Sequence, residues 1–140
     1  DVLRITSSDA EGFGEVLASG PLLGAPSQDD LVVSAPQYGT RRGAVYLLRS
    51  DALAGTMDLD VTMGQFHLQL VGLSGSSFGR SIATGPLGGE ARSDLVVGAP
   101  GSPGSDGNVF AFVDLPTSPS ATPLQAAPRS RPPQASPLGL

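Results

Sequence analysis

The chain has 140 residues, a formal net charge of −5, no cysteine, and 19 glycines and 13 prolines spread among short apolar runs. Its eight cations are all Arg and never cluster well enough to neutralise a row of phosphates, which speaks against nucleic acid as a partner. The missing cysteines exclude a disulfide framework and a thiolate metal site, and no apolar run approaches the roughly 20 residues that cross a bilayer.

Short Val/Leu runs between Gly and Pro predict strands joined by tight turns, hence an all-β chain of one domain's length. Taken in order, residues 2–6 predict a first strand. The pair Phe13-Gly14 turns the chain into a second strand over 15–19, with Gly14 supplying the sharp bend. Residues 31–34 are apolar on both faces, as in a strand packed between two neighbours, and Ala35-Pro36 ends it because Pro offers no N–H to the ladder. After the loop Gln37-Tyr38-Gly39-Thr40-Arg41-Arg42, a further strand covers 44–49. Asp58-Leu59-Asp60 reads as a solvated loop leading into a strand over 66–71, in which His67 faces outward. Phe78-Gly79 then opens a strand at 80–84, followed by 95–98, a turn at Asp106-Gly107 and a last strand at 108–113.

The chain matches itself at an offset of 64 to 65 residues. Phe13-Gly14 falls on Phe78-Gly79, and Gly20-Pro21-Leu22 on Gly85-Pro86-Leu87. Asp30-Leu31-Val32-Val33-Ser34-Ala35-Pro36 falls on Asp94-Leu95-Val96-Val97-Gly98-Ala99-Pro100, Gly43-Ala44-Val45-Tyr46 on Gly107-Asn108-Val109-Phe110, and Leu3-Arg4-Ile5 on Leu68-Gln69-Leu70. A long-period repeat of short strands predicts a propeller or solenoid, and a two-sheet sandwich gives no reason for the period. The expected fold is therefore a β-propeller fragment of about two four-stranded antiparallel blades. Residues 1–6 are the last strand of a preceding blade, 13–72 a complete blade, and 78–114 an incomplete second blade. Phe13 and Phe78 are expected to plug the spaces between blades. Seven of the prolines lie from Pro116 to Pro137, so 115–140 reads as a Pro-rich disordered tail standing where the second blade's fourth strand belongs, as in a truncated or alternatively ended product.

Chemistry-bearing residues are few. Asp58 and Asp60 alternate on an extended chain, yet no His, Lys or third acid follows them. The sole histidine, His67, has no companions for a three-ligand zinc site. No serine sits in Gly-x-Ser-x-Gly, and no Gly-rich loop carries the Lys of a phosphate-binding loop. No catalytic residue and no cofactor is expected. The candidates for partner binding are Tyr38, Arg41 and Arg42, because an aromatic ring and two Arg on one loop have the composition of a binding hot spot. The matching loop from Gly101 to Asp106 has neither.

Phe78-Gly79 followed by Asp94-Leu95-Val96-Val97-Gly98-Ala99-Pro100 resembles the FG-GAP repeat, and the first copy differs by Ser34 in place of the second Gly. The resemblance covers residues 1 to about 114 and is carried twice at matched spacing. FG-GAP repeats build the propeller of integrin α subunits and occur in glycosylphosphatidylinositol-specific phospholipase D. The resemblance implies an extracellular or cell-surface protein that recognises a protein or glycan ligand through the loops of its upper face. The alternative it implies is the propeller portion of a secreted phospholipase D-like hydrolase whose catalytic domain lies outside this chain. In either case the remaining blades are required for closure. Any targeting segment would also lie outside the sequence, since the first residues do not resemble a signal peptide.

Many FG-GAP copies hold calcium in a loop that ends at the Asp before Leu-Val-Val. Here the family's acidic positions hold Leu22, Gly24 and Pro26 before Asp30, and Pro86, Gly88 and Glu90 before Asp94. A calcium ion takes six to eight oxygens, so no bound metal is expected. Asp30 and Asp94 are expected instead to accept backbone hydrogen bonds that fix their loops.

Overall fold

A computed structural model of the chain describes residues 2–9, 12–55, 58–101, 104 and 106–117, with 124–125 as backbone. Among the described residues ten strands run in the order β1 (Arg4–Thr6), β2 (Leu17–Gly20), β3 (Asp30–Ala35), β4 (Ala44–Leu48), β5 (Asp58–Asp60), β6 (Leu68–Val71), β7 (Ser81–Gly85), β8 (Asp94–Ala99), β9 (Asn108–Phe112) and β10 (Leu124–Gln125). The first unit is an antiparallel meander β2-β3-β4-β6, with β10 added parallel to its outer edge. The second unit is the shorter meander β7-β8-β9. β1 and β5 form a separate parallel pair. The chain is thus all-β and built mainly of antiparallel sheets, as the composition implies.

Strand alternation explains why the first sheet tolerates apolar residues on both faces. One face carries Val32, Val45, Leu47, Leu68 and Leu70, which pack against Leu95, Val97, Ala99 and Phe78 of the second unit. The opposite face carries Val33, Ala35, Ala44, Tyr46 and Leu48, which Leu3, just before β1, Ile5 of β1 and Leu59 of β5 cover. Among the described residues the second sheet is covered on one face only. Its other face leaves Val109 73% and Val113 52% exposed.

Phe78 is fully buried between the sheets, with its ring edge-on to Phe110 and Phe112 at 5.7 and 6.0 Å between centroids. Gly14 and Gly79 share the left-handed backbone that the turn requires, at φ 88° and 93°. A Cβ at Gly79 would also press on Val45 and Ser34 of the first unit, whereas one at Gly14 would meet no atom within 4 Å.

The inner strands fix how the units are related. Arg80 Nη1 donates to Glu15 Oε1 at 2.6 Å, and Thr84 Oγ1 donates to the Ser19 carbonyl at 2.8 Å. Both contacts join residues 65 positions apart, so matching residues meet at the same height. The two units therefore stand side by side in the same orientation.

Two expectations need correction. Asp58-Leu59-Asp60 is not a solvated loop: it is strand β5, paired with β1, because Leu59 turns inward between two outward acids while Arg4 Nε bonds Asp58 Oδ1 at 2.8 Å. His67 is buried rather than outward-facing. Its N–H donates to the Leu47 carbonyl at 2.8 Å, and its imidazole lies 3.4 Å from the Pro116 carbonyl, beneath the chain that leaves β9.

Of the segment assigned to the tail, Leu115 is buried in the core between the sheets and Leu124–Gln125 is strand β10; residues 118–123 and 126–140 lie outside the described residues. β10 continues the repeat. Each β5 residue pairs with a β1 residue 54 positions earlier, and β10 pairs with β6 at that same separation, also in parallel.

Candidate functional site

The loops at one end of the sheets lock together. The β3–β4 loop passes through three consecutive left-handed residues, Gly39, Thr40 and Arg41, at φ 50°, 48° and 59°. Thr and Arg pay a steric cost there of about 1–3 kcal/mol each. What holds them is the β6–β7 loop. Gly75, Ser77 and Phe78 donate their N–H groups to the carbonyls of Thr40, Arg41 and Arg42 at 3.3, 2.8 and 3.2 Å, and Ser76 Oγ donates to the Arg42 carbonyl at 2.8 Å. Gly101, from the β8–β9 loop, then donates to the Ser76 carbonyl at 3.0 Å. Loops from both units form one continuous surface.

The three candidate residues take separate places on it. Tyr38 is half-buried against the apolar cluster under β1 and β5. Arg42 is half-buried, and its Nε donates to the Gly72 carbonyl at 3.2 Å. Arg41 alone is exposed, with Gln37, Gly39 and Thr40 around it. Tyr38 and Arg42 therefore anchor the loop that presents Arg41.

Asp30 and Asp94 occupy equivalent clasps at the opposite end. Asp30 Oδ2 accepts from the N–H groups of Leu22 and Leu23 at 3.1 and 2.7 Å, and its Oδ1 accepts from Ser50 at 3.3 Å. Asp94 Oδ2 accepts from Leu87 and Gly88 at 2.9 and 3.1 Å, and its Oδ1 accepts from Asp114 at 3.4 Å. Backbone N–H groups aimed at a carboxylate take the lone pairs that a cation would need. Among the described residues no group of three or more His, Cys, Asp or Glu is placed to hold a metal ion.

A cleft of about 410 Å³ lies near that end of the first unit, among Leu48, Arg49, Leu53, Leu59, Phe66 and His67. Its wall is largely apolar, and Arg49 is paired with Asp51 at 2.7 Å. Sequence reading missed this cleft because the segment from 50 to 65, between the strands predicted at 44–49 and 66–71, has neither helix nor strand periodicity. A second cleft, of about 400 Å³, opens on the uncovered face of the second sheet among Ser81, Gly98, Pro100, Gly107, Asn108 and Val109.

The shifted ionisable groups follow local structure. Burial raises the Tyr46 phenol beyond the usual tyrosine range, against the lowering effect of Gln69, whose Nε2 donates to it at 3.0 Å. The Asp60 carboxyl is lowered by the hydroxyl and N–H of Thr62, which donate to it at 2.6 and 2.9 Å. No helix among the described residues is long and apolar enough to cross a membrane. No protein-family model and no curated protein matches the chain.

Proposed function

We propose that the chain is a segment of an FG-GAP-type β-propeller from an extracellular or cell-surface protein, and that it recognises a protein or glycan without catalysing a reaction on it. The propeller reading is supported by the equal-height contacts of Glu15 with Arg80 and of Ser19 with Thr84. Rotation about an axis along the inner strands produces such contacts between every pair of neighbouring blades. The matching carboxylate clasps of Asp30 and Asp94 add a second, independent sign of equivalence.

The observation that carries the recognition role is the locked loop surface. Three carbonyls of the β3–β4 loop are held by three N–H groups of the β6–β7 loop while Thr40 and Arg41 stay in left-handed backbone. A loop pre-organised in this way loses little conformational freedom on binding. Its exposed guanidinium suits a carboxylate, a sulfate ester or a carbonyl-rich surface. The test is binding to arrays of immobilised acidic glycans and secreted proteins, with wild-type chain beside Arg41→Ala and Arg41→Glu. Arg41→Ala should weaken the retained interaction about 10-fold or more, and Arg41→Glu should abolish it, with the circular dichroism spectrum unchanged. Retention that is indifferent to both substitutions would remove the loop from the site.

A further inference from the structure

The uncovered face of the second unit repeats, position by position, the face of the first unit that the second unit occupies. Val96, Val109 and Ala111 stand where Val32, Val45 and Leu47 stand in the first sheet. In the first unit this face seats the Phe78-Gly79 turn, with Gly79 against Val45, Ser34 and the Ala44 carbonyl. The matching residues of the second unit are Val109, Gly98 and Asn108, and they line the open cleft of about 400 Å³. The edge beside it is open as well. β6 pairs with β4 in the first sheet, whereas no strand among the described residues pairs with the outer edge of β9.

The first unit carries the complementary half. Phe13-Gly14 has the turn geometry of Phe78-Gly79, but Phe13 is only half-buried and the Cβ position of Gly14 faces open space. Leu17 is 62% exposed, whereas its counterpart Ile82 packs into the core between the sheets. β1 and the residue just before it cover the first sheet with Ile5 and Leu3 as β6 covers the second with Leu68 and Leu70. Its partner β5 has the same place as β10. A unit that docked on the second sheet as the second docks on the first would therefore bring, with it, a strand aligned for the open edge of β9.

We infer that the exposed face of the second sheet, its open cleft and the outer edge of β9 form one docking site for a second copy of this chain. The incoming copy seats its Phe13-Gly14 turn in the cleft and lays β1 antiparallel along β9. Leu3 then stands opposite Ala111 and Ile5 opposite Val109, the register that Leu68 and Leu70 hold with Leu47 and Val45. The contact is head-to-tail, so it propagates until the rotation closes. Docking rests only on the equivalence of the two units and needs no recognition role. The copy number rests on the propeller reading: with two units per copy and propellers of roughly four to eight blades, two to four copies close a ring.

The absence of cysteine allows a direct test. Singly substituted Leu3→Cys and Ala111→Cys chains, mixed and mildly oxidised, should form an intermolecular disulfide, and Leu3→Cys should not link to a Met63→Cys control. Light scattering on the wild-type chain should give two to four copies. Val109→Asp, a change at a side chain already exposed in the single chain, should yield monomers with an unaltered circular dichroism spectrum. A longer ladder bearing the same selective link supports the docking and removes the closed ring. A folded wild-type monomer, assembly unaffected by Val109→Asp, or equal linkage to Met63→Cys would each overturn the docking. So would a monomer whose Val109→Cys thiol is shielded from a soluble maleimide, which would assign the face to the chain's own residues.

Discussion

At Asp30 the two carboxylate oxygens satisfy three backbone N–H groups that no strand ladder reaches, and the side chain is 2% exposed. Removing the carboxylate takes the acceptor from the buried Leu23 N–H and from half-buried Ser50, while Leu22 keeps the Gly20 carbonyl at 2.9 Å. A buried donor that loses its acceptor costs more than the net gain of forming the bond. Asp30→Ala should destabilise the chain by about 2–4 kcal/mol in urea denaturation. Asp30→Asn keeps an acceptor and should lose less. Asp94→Ala should also lose less than Asp30→Ala, because its partners are only part-buried.

Tyr46 gives the pH dependence. The folded state holds the phenol proton beyond the usual range because ionisation would bury a charge, while the unfolded chain releases it near pH ~10. The unfolded state thus binds fewer protons above that pH. Stability should be flat with respect to this group below pH ~10 and should fall above it by up to about 1.4 kcal/mol per pH unit. Denaturant midpoints measured between about pH 8 and pH 11 should show the fall, and Tyr46→Phe should flatten it. An undiminished decline in Tyr46→Phe would locate the effect elsewhere.

At the scale of elements, the two sheets are joined chiefly through Phe78 and the aliphatic faces around it. Phe78→Ala should cost about 3–5 kcal/mol, measured by thermal or urea unfolding. A Cβ at Gly72 would overlap the Phe78 side chain. Gly72→Ala should accordingly loosen the same joint, although it removes no contact.

The eight main strands were legible in the sequence because their signals are strong ones. The apolar runs at Val32 and Val96 end at Ala-Pro, and the repeat places each run twice. β5 and β10 were not legible. They have three and two residues, too few for a period, and they are strands only because distant β1 and β6 offer edges. The candidate site was half legible. Composition singled out the loop of Tyr38, Arg41 and Arg42. Arg42 anchors it through hydrogen bonds with residues 72–78, and Tyr38 through the apolar cluster under β1 and β5, and no local pattern encodes either. His67 was misread for a related reason: its period matches an outward position, but the chain leaving β9 covers it.

At the scale of the whole molecule, the two units differ in what surrounds them more than in how they are built. The first has a sheet on one face and β1 with β5 on the other, and the second has, among the described residues, a neighbour on one face alone. That asymmetry accounts for Val109 and Val113 lying exposed on residues that match buried or half-buried positions of the first unit. It also gives an expected phenotype: substitutions on the covered faces should unfold the chain, while those at Val109 should alter its association.

All of this depends on β2 and β7 running side by side at the same height. A Cβ built on Gly20 lies 3.4 Å from that of Thr84, close to the separation that spans a disulfide. The Gly20→Cys/Thr84→Cys double variant should therefore oxidise to a link within one chain, detected by mass and by faster migration on a non-reducing gel. Thiols that stay free in the folded double variant, or that pair only between chains, would contradict the side-by-side arrangement of the two units.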